Sequence, residues 1–106
     1  MPRAAASSDV FHAIADGNRR GLLDLLRDGE QPVGALVEEA GLSYPLVSQH
    51  LQVLLGAGAV SRRAEGRQRI YRLEAAPLRD VHDWTAEYTR FWRERIDRLR
   101  RELDAP

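Results

Sequence analysis

A capped turn between two short apolar segments constrains the fold of this chain more than any other feature. The Ser43 side chain can accept a hydrogen bond from a free helix N–H group, and Pro45 suits the first turn of a helix. Gly41 lies just before them, and glycine commonly follows the last residue of a helix. The sequence therefore predicts one helix over residues 33–40 and another over residues 44–55, joined by a short turn as in a helix-turn-helix.

Apolar residues at helical spacing predict three further helices. The first is expected to begin at the cap-forming residues 7–9 and to end at Gly17 and Asn18. The second covers residues 19–27, where Gly21 costs up to about 1 kcal/mol relative to alanine. A long final helix is expected over about residues 77–103.

Two segments rich in strand-forming side chains, residues 59–64 and 68–73, flank a turn at residues 65–67 that contains a glycine. They predict a β-hairpin, which is the only β-structure expected. With 106 residues the chain has room for one domain. The predicted fold class is therefore mainly α with a small β-hairpin, in a single domain over residues 1–106.

Composition excludes several classes of protein. The chain has no cysteine, which excludes disulfides, thiolate metal sites and cysteine nucleophiles. Its apolar stretches are much shorter than the roughly 20 residues of a membrane helix. Residues 1–6 lack the hydrophobic core of a signal peptide. We therefore expect a soluble, cytoplasmic protein with no membrane partner.

The fourth predicted helix has an unusual outward side. At 100° per residue, Val47, Leu51 and Leu54 lie on one side of it and Ser48, Gln49 and Gln52 on the other. Residues 44–55 contain no Asp, Glu, Arg or Lys, although 30% of the whole chain is charged. Serine and glutamine both donate and accept hydrogen bonds, as base edges in a major groove require. This pattern favours readout of DNA; the alternative is a neutral helix covered by another subunit.

Positive charge is concentrated around the predicted hairpin. Residues 62–79 contain six arginines and two acidic residues, a net charge of +4, although the whole chain has a net charge of zero. Arginine clusters neutralise phosphates and can enter a narrow minor groove. The alternative is a charged strand edge that prevents aggregation. The arginines around the turn are Arg62, Arg63, Arg67 and Arg69.

These motifs together resemble the ArsR/SmtB family of bacterial winged helix-turn-helix repressors. The resemblance covers roughly residues 9–100 and is most specific in residues 42–54, which read Leu-Ser-Tyr-Pro-Leu-Val-Ser-Gln-His-Leu-Gln-Val-Leu. It departs at Gly17, where relatives commonly have proline. The resemblance implies a helix-turn-helix over about residues 33–56, a wing over about 59–73 and a dimerisation helix over about 77–103. It implies a homodimer that binds an inverted repeat, with DNA contacts from Ser43, Tyr44, Ser48, Gln49 and Gln52 and with the wing arginines on the backbone.

Three other residues at the edge of these motifs have open roles. His50 lies at the border of the apolar side of its helix, so it is either a half-buried packing residue or a phosphate contact, and it is included among the candidate DNA contacts. Arg19 and Arg20 match the family but are predicted near a helix start, where positive charge opposes the helix dipole. We interpret them as partners in tertiary salt bridges rather than as DNA contacts.

Relatives often bind metal on the last helix through an Asp and a His, followed by a second His and a further ligand. Asp80 and His82 match the first half, but Arg93 and Ile96 stand where the second half belongs. An arginine cannot ligate a cation, and two ligands do not make a tight zinc site. We expect no metal and no cofactor.

The final helix carries four of the seven aromatic residues within nine positions, and its apolar arc is wider than a two-helix seam. Exposed aromatic residues on this scale indicate an interface. We expect a homodimer, and an unidentified small apolar effector between the aromatic side chains is the open alternative. The predicted interface residues are Phe11, Val81, Trp84, Tyr88, Trp92, Ile96 and Leu99.

The sequence therefore predicts a sequence-specific DNA-binding transcriptional regulator, a repressor that binds double-stranded operator DNA. No nucleophile, base and orienting group are recognisable together, so we expect no enzyme. The alternative function is a winged-helix module for protein–protein interaction without specific DNA binding. Steep salt dependence of DNA binding would distinguish the two.

Overall fold

The computed structural model describes residues 9–105 of the chain. Six helices and a small sheet follow one another along this range. The start of the first helix, predicted at residues 7–9, lies mostly outside the described residues. The elements are α1 (9–14), α2 (Gly17–Leu26), β1 (Gln31–Pro32), α3 (Val33–Ala40), α4 (Tyr44–Gly56), β2 (Val60–Glu65), β3 (Gln68–Leu73), α5 (Leu78–Ala86) and α6 (Thr89–Asp104).

Helix α2 begins earlier than predicted, because Asp16 caps it. The Asp16 carboxylate accepts hydrogen bonds from the backbone amides of Asn18 at 2.8 Å and Arg19 at 3.2 Å. Gly17 and Asn18, which were predicted to end the first helix, are therefore the first two residues of the second. An aspartate at this position satisfies amides that have no partner within the helix.

The sheet has one strand more than predicted. Its order is β1-β3-β2 with antiparallel neighbours, and Gln31 pairs with Tyr71 and Pro32 with Ile70. The expectation that the hairpin is the only β-structure is therefore wrong. A two-residue strand that includes a proline carries no local strand pattern, and proline is tolerated there because the strand lies at the sheet edge.

The hydrophobic core lies between the helices and the base of the wing. Six leucines of α2, α3 and α4 are fully or almost fully buried, and Val60 and Tyr71 of the wing join them at 3% exposure each. Leu78 at the start of α5 packs against the same cluster. The buried leucines are Leu22, Leu23, Leu26, Leu36, Leu51 and Leu54.

The predicted long final helix is two helices. Thr85 Oγ1 donates toward the Val81 and His82 carbonyls, and the Glu87 and Tyr88 amides bond three residues back, to Trp84 and Thr85. Such tightened bonds end the α-helical ladder of α5, and α6 begins anew at Thr89. The prediction of one continuous helix over 77–103 is therefore wrong.

Helix α6 extends away from the rest of the molecule. Every residue from 90 to 105 is exposed, and the described chain measures 64 × 38 × 21 Å. Its radius of gyration is 17.8 Å, whereas a compact chain of this length has about 13 Å. No helix within residues 9–105 is long and apolar enough to cross a membrane.

Candidate nucleic-acid interface

The turn between α3 and α4 is formed as its residue types predict. Gly41 has φ 67°, a left-handed conformation that favours glycine, and its amide donates to the Val37 carbonyl at 3.1 Å. Ser43 caps α4, because its Oγ accepts from the Leu46 amide at 3.3 Å. The helix-turn-helix therefore comprises α3 and α4, and the turn sets the angle at which α4 meets α3.

One side of α4 is polar and accessible. Gln49, Gln52 and Tyr44 are exposed, and Ser48 is partly exposed. Val47, Leu51 and Leu54 on the other side are completely buried. The structure therefore brings together on one surface the side chains predicted to contact DNA from this helix, which are Ser43, Tyr44, Ser48, Gln49 and Gln52.

His50 differs from the other candidate contacts. Its side chain is buried with 9% exposure. Its Nδ1 lies 3.3 Å from Nη1 of Arg19, and its Nε2 is buried without a hydrogen-bond partner among residues 9–105. His50 thus faces the interior, as the packing interpretation expects, and the structure does not place it on the exposed polar side of α4.

The strand register divides the wing arginines between two faces. Directly paired residues of antiparallel strands lie on the same face, and faces alternate along a strand. Arg62 pairs with the buried Tyr71, and Ala64 pairs with Arg69. Arg62 and Arg69 therefore lie on the face that packs against the helices, and Arg63, which pairs with Ile70, lies on the other.

Arg63 is neutralised by acidic neighbours. It forms ion pairs with Glu65, at 2.7 Å, and with Glu30, which precedes β1. Hydrogen bonds to Glu65 and Glu30 raise the pKa of Arg63 above its ordinary value. On the same face, Arg72 lies 3.8 Å from Glu74. The second face of the wing therefore carries little free positive charge.

Arg62, Arg67 and Arg69 are exposed and have no ion pair with a side chain of the described residues. Arg67 follows Gly66 in the two-residue turn, where Gly66 has φ 61° and Arg67 a negative φ. A positive φ at the first central residue alone is the pattern of a type II′ turn, which requires glycine there. The turn thus presents Arg67 at the tip of the wing.

The roles of Arg19 and Arg20 differ from the predicted salt bridges. Arg19 donates from Nε to the Ala13 carbonyl at 2.6 Å and from Nη2 to the His12 carbonyl at 3.1 Å. Arg20 donates from Nη1 to the Ile14 carbonyl at 2.8 Å. Both arginines satisfy carbonyl groups at the end of α1, where positive charge is favourable. Side-chain contacts between helices could not be read from local pattern.

An exposed aromatic stripe follows α5 and α6. Phe11 of α1 contacts Trp84 edge to face at 5.7 Å between ring centroids, and Trp84 contacts Tyr88 at 5.5 Å. Val81 and Phe11 are partly buried at its start. The side chains that form the stripe on α5 and α6 are between 42% and 80% exposed in the single chain. We call this set, four aromatic and three aliphatic residues, the aromatic stripe: Trp84, Tyr88, Phe91, Trp92, Ile96, Leu99 and Leu103.

The family's metal site on the last helix does not fit these residues. Asp80 and His82 lie on α5, whereas Arg93 and Ile96 lie on α6, beyond the break between the helices. Neither guanidinium nor an aliphatic side chain can ligate a cation. Within the described range, no three His, Asp, Glu or Cys side chains are grouped as a metal ion would need.

Comparison with known proteins shows the family of this chain. Residues 16–62 match the family model "Bacterial regulatory protein, arsR family". The chain is 35% identical over 81 residues to the transcriptional repressor SdpR of Bacillus subtilis, covering 76% of this chain and 90% of SdpR. The chain belongs to the ArsR family of bacterial regulatory proteins. It is a DNA-binding transcriptional regulator with a winged helix-turn-helix fold, and its relatives in this family are transcriptional regulators.

Solved structures of similar proteins have the same fold. The crystal structure of an ArsR family transcriptional regulator superimposes with a TM-score of 0.73 at 28% identity and covers 85% of this chain and 93% of its own. The homodimeric winged helix-turn-helix DNA-binding domain of Mb0332 from Mycobacterium bovis gives a TM-score of 0.69 at 31% identity, covering 82% of this chain and 83% of its own.

Proposed function

We propose that this regulator is a homodimeric repressor that binds an inverted-repeat operator with α4 in the major groove. The observation that carries the proposal is the exposed, uncharged polar side of α4, in a chain whose wing exposes two unpaired arginines, Arg62 and Arg69, on one face. The operator lies on the bacterial chromosome in the cytoplasm, so we propose that the regulator acts in the cytoplasm.

Gln49 and Gln52 are the proposed base-reading residues. Both are exposed, and a glutamine amide can form two hydrogen bonds with the adenine edge in the major groove. Ser43, Tyr44 and Ser48 flank them and would bond to bases or phosphates. An acidic side chain on this surface would repel the backbone, and Tyr44–Gly56 contains none.

The wing is proposed to contact the DNA backbone or the adjacent minor groove. Arg62 and Arg69 share the face that packs on the helices, and Arg67 lies at the tip. Each arginine that neutralises a phosphate releases counterions, so binding should weaken steeply as salt is raised. Arg63 is committed to Glu30 and Glu65 and contributes less.

The aromatic stripe is proposed as the dimer interface, with Phe11 and Val81 at its edge. Apolar patches of this size rarely stay exposed in a monomer. The homodimeric state of the Mb0332 domain supports the same arrangement here. In a two-fold dimer the α4 helices would meet half-sites one helical turn apart, about 34–36 Å.

Fluorescence anisotropy with DNA from upstream of the protein's own gene tests this proposal. We expect specific binding with a steep salt dependence, and a roughly tenfold or greater loss for Gln49→Ala on operator but not on scrambled DNA. Gln68→Ala, at an exposed glutamine on the face of the wing opposite Arg62 and Arg69, is the matched control. Equal affinity for operator and scrambled DNA would contradict operator recognition, and no DNA binding near physiological salt would favour the protein–protein module.

A further inference from the structure

The guanidinium of Arg19 connects three helices. Arg19 belongs to α2, its Nε and Nη2 donate to the Ala13 and His12 carbonyls at the end of α1, and its Nη1 lies 3.3 Å from Nδ1 of His50 in α4. The Nε contact is short, at 2.6 Å. One side chain thus links the end of α1 to the helix proposed to read DNA.

The chemistry of Arg19 and His50 determines which atom accepts the hydrogen bond between them. A guanidinium has donors only, so Nδ1 of His50 accepts from Arg19 and the ring proton of neutral His50 lies on Nε2. That Nε2–H is buried and has no partner among the described residues. A leucine would fill this position without an unsatisfied donor, so the benefit of a histidine here is the acceptor that it offers to Arg19.

His50 lies where it can set the rotation of α4. It follows Gln49 directly and precedes Gln52 by two residues, so its ring is rotated by about 100° from the Gln49 side chain. Apolar contacts of Val47, Leu51 and Leu54 have no direction, whereas the bond to Arg19 does. A small rotation of α4 would displace both glutamine amides relative to the base edges.

Helix α1 also touches the aromatic stripe, through the contact of Phe11 with Trp84. The chain of contacts therefore runs from the stripe through α1 and Arg19 to α4. We propose that Arg19 is a positioning residue for DNA readout, which orients α4 by anchoring His50 to the end of α1. This inference rests on the proposed function, in which α4 reads the operator.

The decisive comparison uses Arg19→Met and Arg20→Met. Arg20 also satisfies an α1 carbonyl, that of Ile14 at 2.8 Å, but it has no contact with His50. Both variants lose hydrogen bonds to carbonyls at the end of α1, two in Arg19→Met and one in Arg20→Met, and only Arg19→Met also loses the link to α4. Arg19→Lys, which keeps the charge but not the three-donor geometry, is a second variant in case Arg19→Met does not fold.

The measurement is the ratio of operator to scrambled-DNA affinity over a range of salt, at a temperature where circular dichroism shows every variant folded. We expect Arg19→Met to lower the ratio about tenfold with an unchanged salt slope, and Arg20→Met to leave it unchanged. His50→Leu should behave like Arg19→Met. His50→Asn, which can place an acceptor near the position of Nδ1, should recover most of the ratio.

An independent readout needs no DNA. Nitrogen-15 NMR of the wild-type protein should show His50 Nδ1 unprotonated and Nε2 protonated, and Arg19→Met should change the Nδ1 shift. Wild-type discrimination of operator DNA with equal discrimination by Arg19→Met would overturn this inference and leave the proposed function intact. Failure of the wild type to discriminate, with the expected NMR signature, would overturn both and show that the contact serves the fold alone.

Discussion

Helices α4 and α6 both expose a face in the single chain, and the two faces differ in chemistry. The exposed face of α4 carries Ser48, Gln49 and Gln52 and no charge, whereas α6 exposes Trp92 and Ile96 among arginines. Water satisfies the polar groups of the first face, so it can remain free until DNA is bound. Water does not stabilise the second face, because large aromatic side chains gain free energy when they are buried.

This difference separates recognition from assembly. The surface proposed to read DNA is positioned by the buried core and by the caps at Asp16 and Ser43, all within one chain. The aromatic stripe is proposed to be buried against a second chain. A change in one surface should therefore leave the structure of the other largely intact. Two predictions test the two kinds of contact and two test the helix that supports α4, from the largest expected effect to the smallest.

Ile96→Glu should abolish dimer formation and weaken operator binding by roughly 100-fold, because a monomer loses the second half-site contact. Ile96 is 42% exposed and α6 lies outside the core, so the helical signal should be retained. Sedimentation equilibrium at micromolar concentration and anisotropy measure the two effects. Arg98→Glu, on the same helix outside the aromatic stripe, is the charge control. A dimeric Ile96→Glu variant would contradict the proposed interface.

Arg69→Ala should weaken DNA binding several-fold and reduce the salt slope by about one, as expected for one lost phosphate contact. Arg63→Ala should change the slope less, because Arg63 is already paired with Glu30 and Glu65. The measurement is the affinity for operator DNA at several salt concentrations. Equal salt slopes for Arg69→Ala and Arg63→Ala would show that the face of the wing on which an arginine lies does not affect its contribution to DNA binding.

Asp16→Ala should lower the melting temperature by a few degrees at neutral pH, because α2 loses its cap. Hydrogen bonds from the Arg19 and Asn18 backbone amides lower the pKa of Asp16 below its ordinary value. A lowered pKa means that the stabilisation is present above the ordinary aspartate pKa of about 4 and is lost as the pH falls through the lower pKa of the folded state. The difference between wild type and Asp16→Ala should therefore shrink below about pH 4.

The control for this pH dependence is Asp16→Asn, which keeps a capping oxygen that does not titrate. Thermal unfolding by circular dichroism between pH 3 and pH 7 gives the comparison. Asp16→Asn should remain close to wild type at neutral pH. A difference between wild type and Asp16→Ala that stays constant down to pH 3 would contradict an ionised cap.

Gly21→Ala should raise the free energy of unfolding by about 0.5–1 kcal/mol and leave DNA affinity unchanged. Gly21 lies inside α2, and a Cβ there meets no atom within 4 Å. Urea unfolding measures the change. Gly66→Ala is the contrasting variant, because Gly66 has φ 61° and alanine is strained there. Destabilisation by Gly21→Ala would mean that the added methyl group clashes with an atom outside the single chain.

Much of the fold was predictable where one residue and its near neighbours in the chain determine where a helix begins or ends. Residues 33–40 form α3 as predicted, because Gly41 ends it, and Ser43 caps α4 as expected. The first boundary of α2 was wrong because Gly17 was interpreted as a terminator, although Asp16 supplies a cap. The break between α5 and α6 was missed because the apolar spacing of the two helices continues across it.

The sequence by itself determined the helix-turn-helix, the hairpin, the polar side of α4 and the aromatic content of the last helices, since each depends on residues within one or two turns. The tertiary structure alone decided that Arg63 meets Glu30, that Pro32 lies beside Ile70 and that Arg19 reaches His50. These partners lie 31 to 38 residues apart in the chain, and only packing of the core brings them together. Residue type specifies what a side chain can bond to, and the fold specifies which partner is within reach.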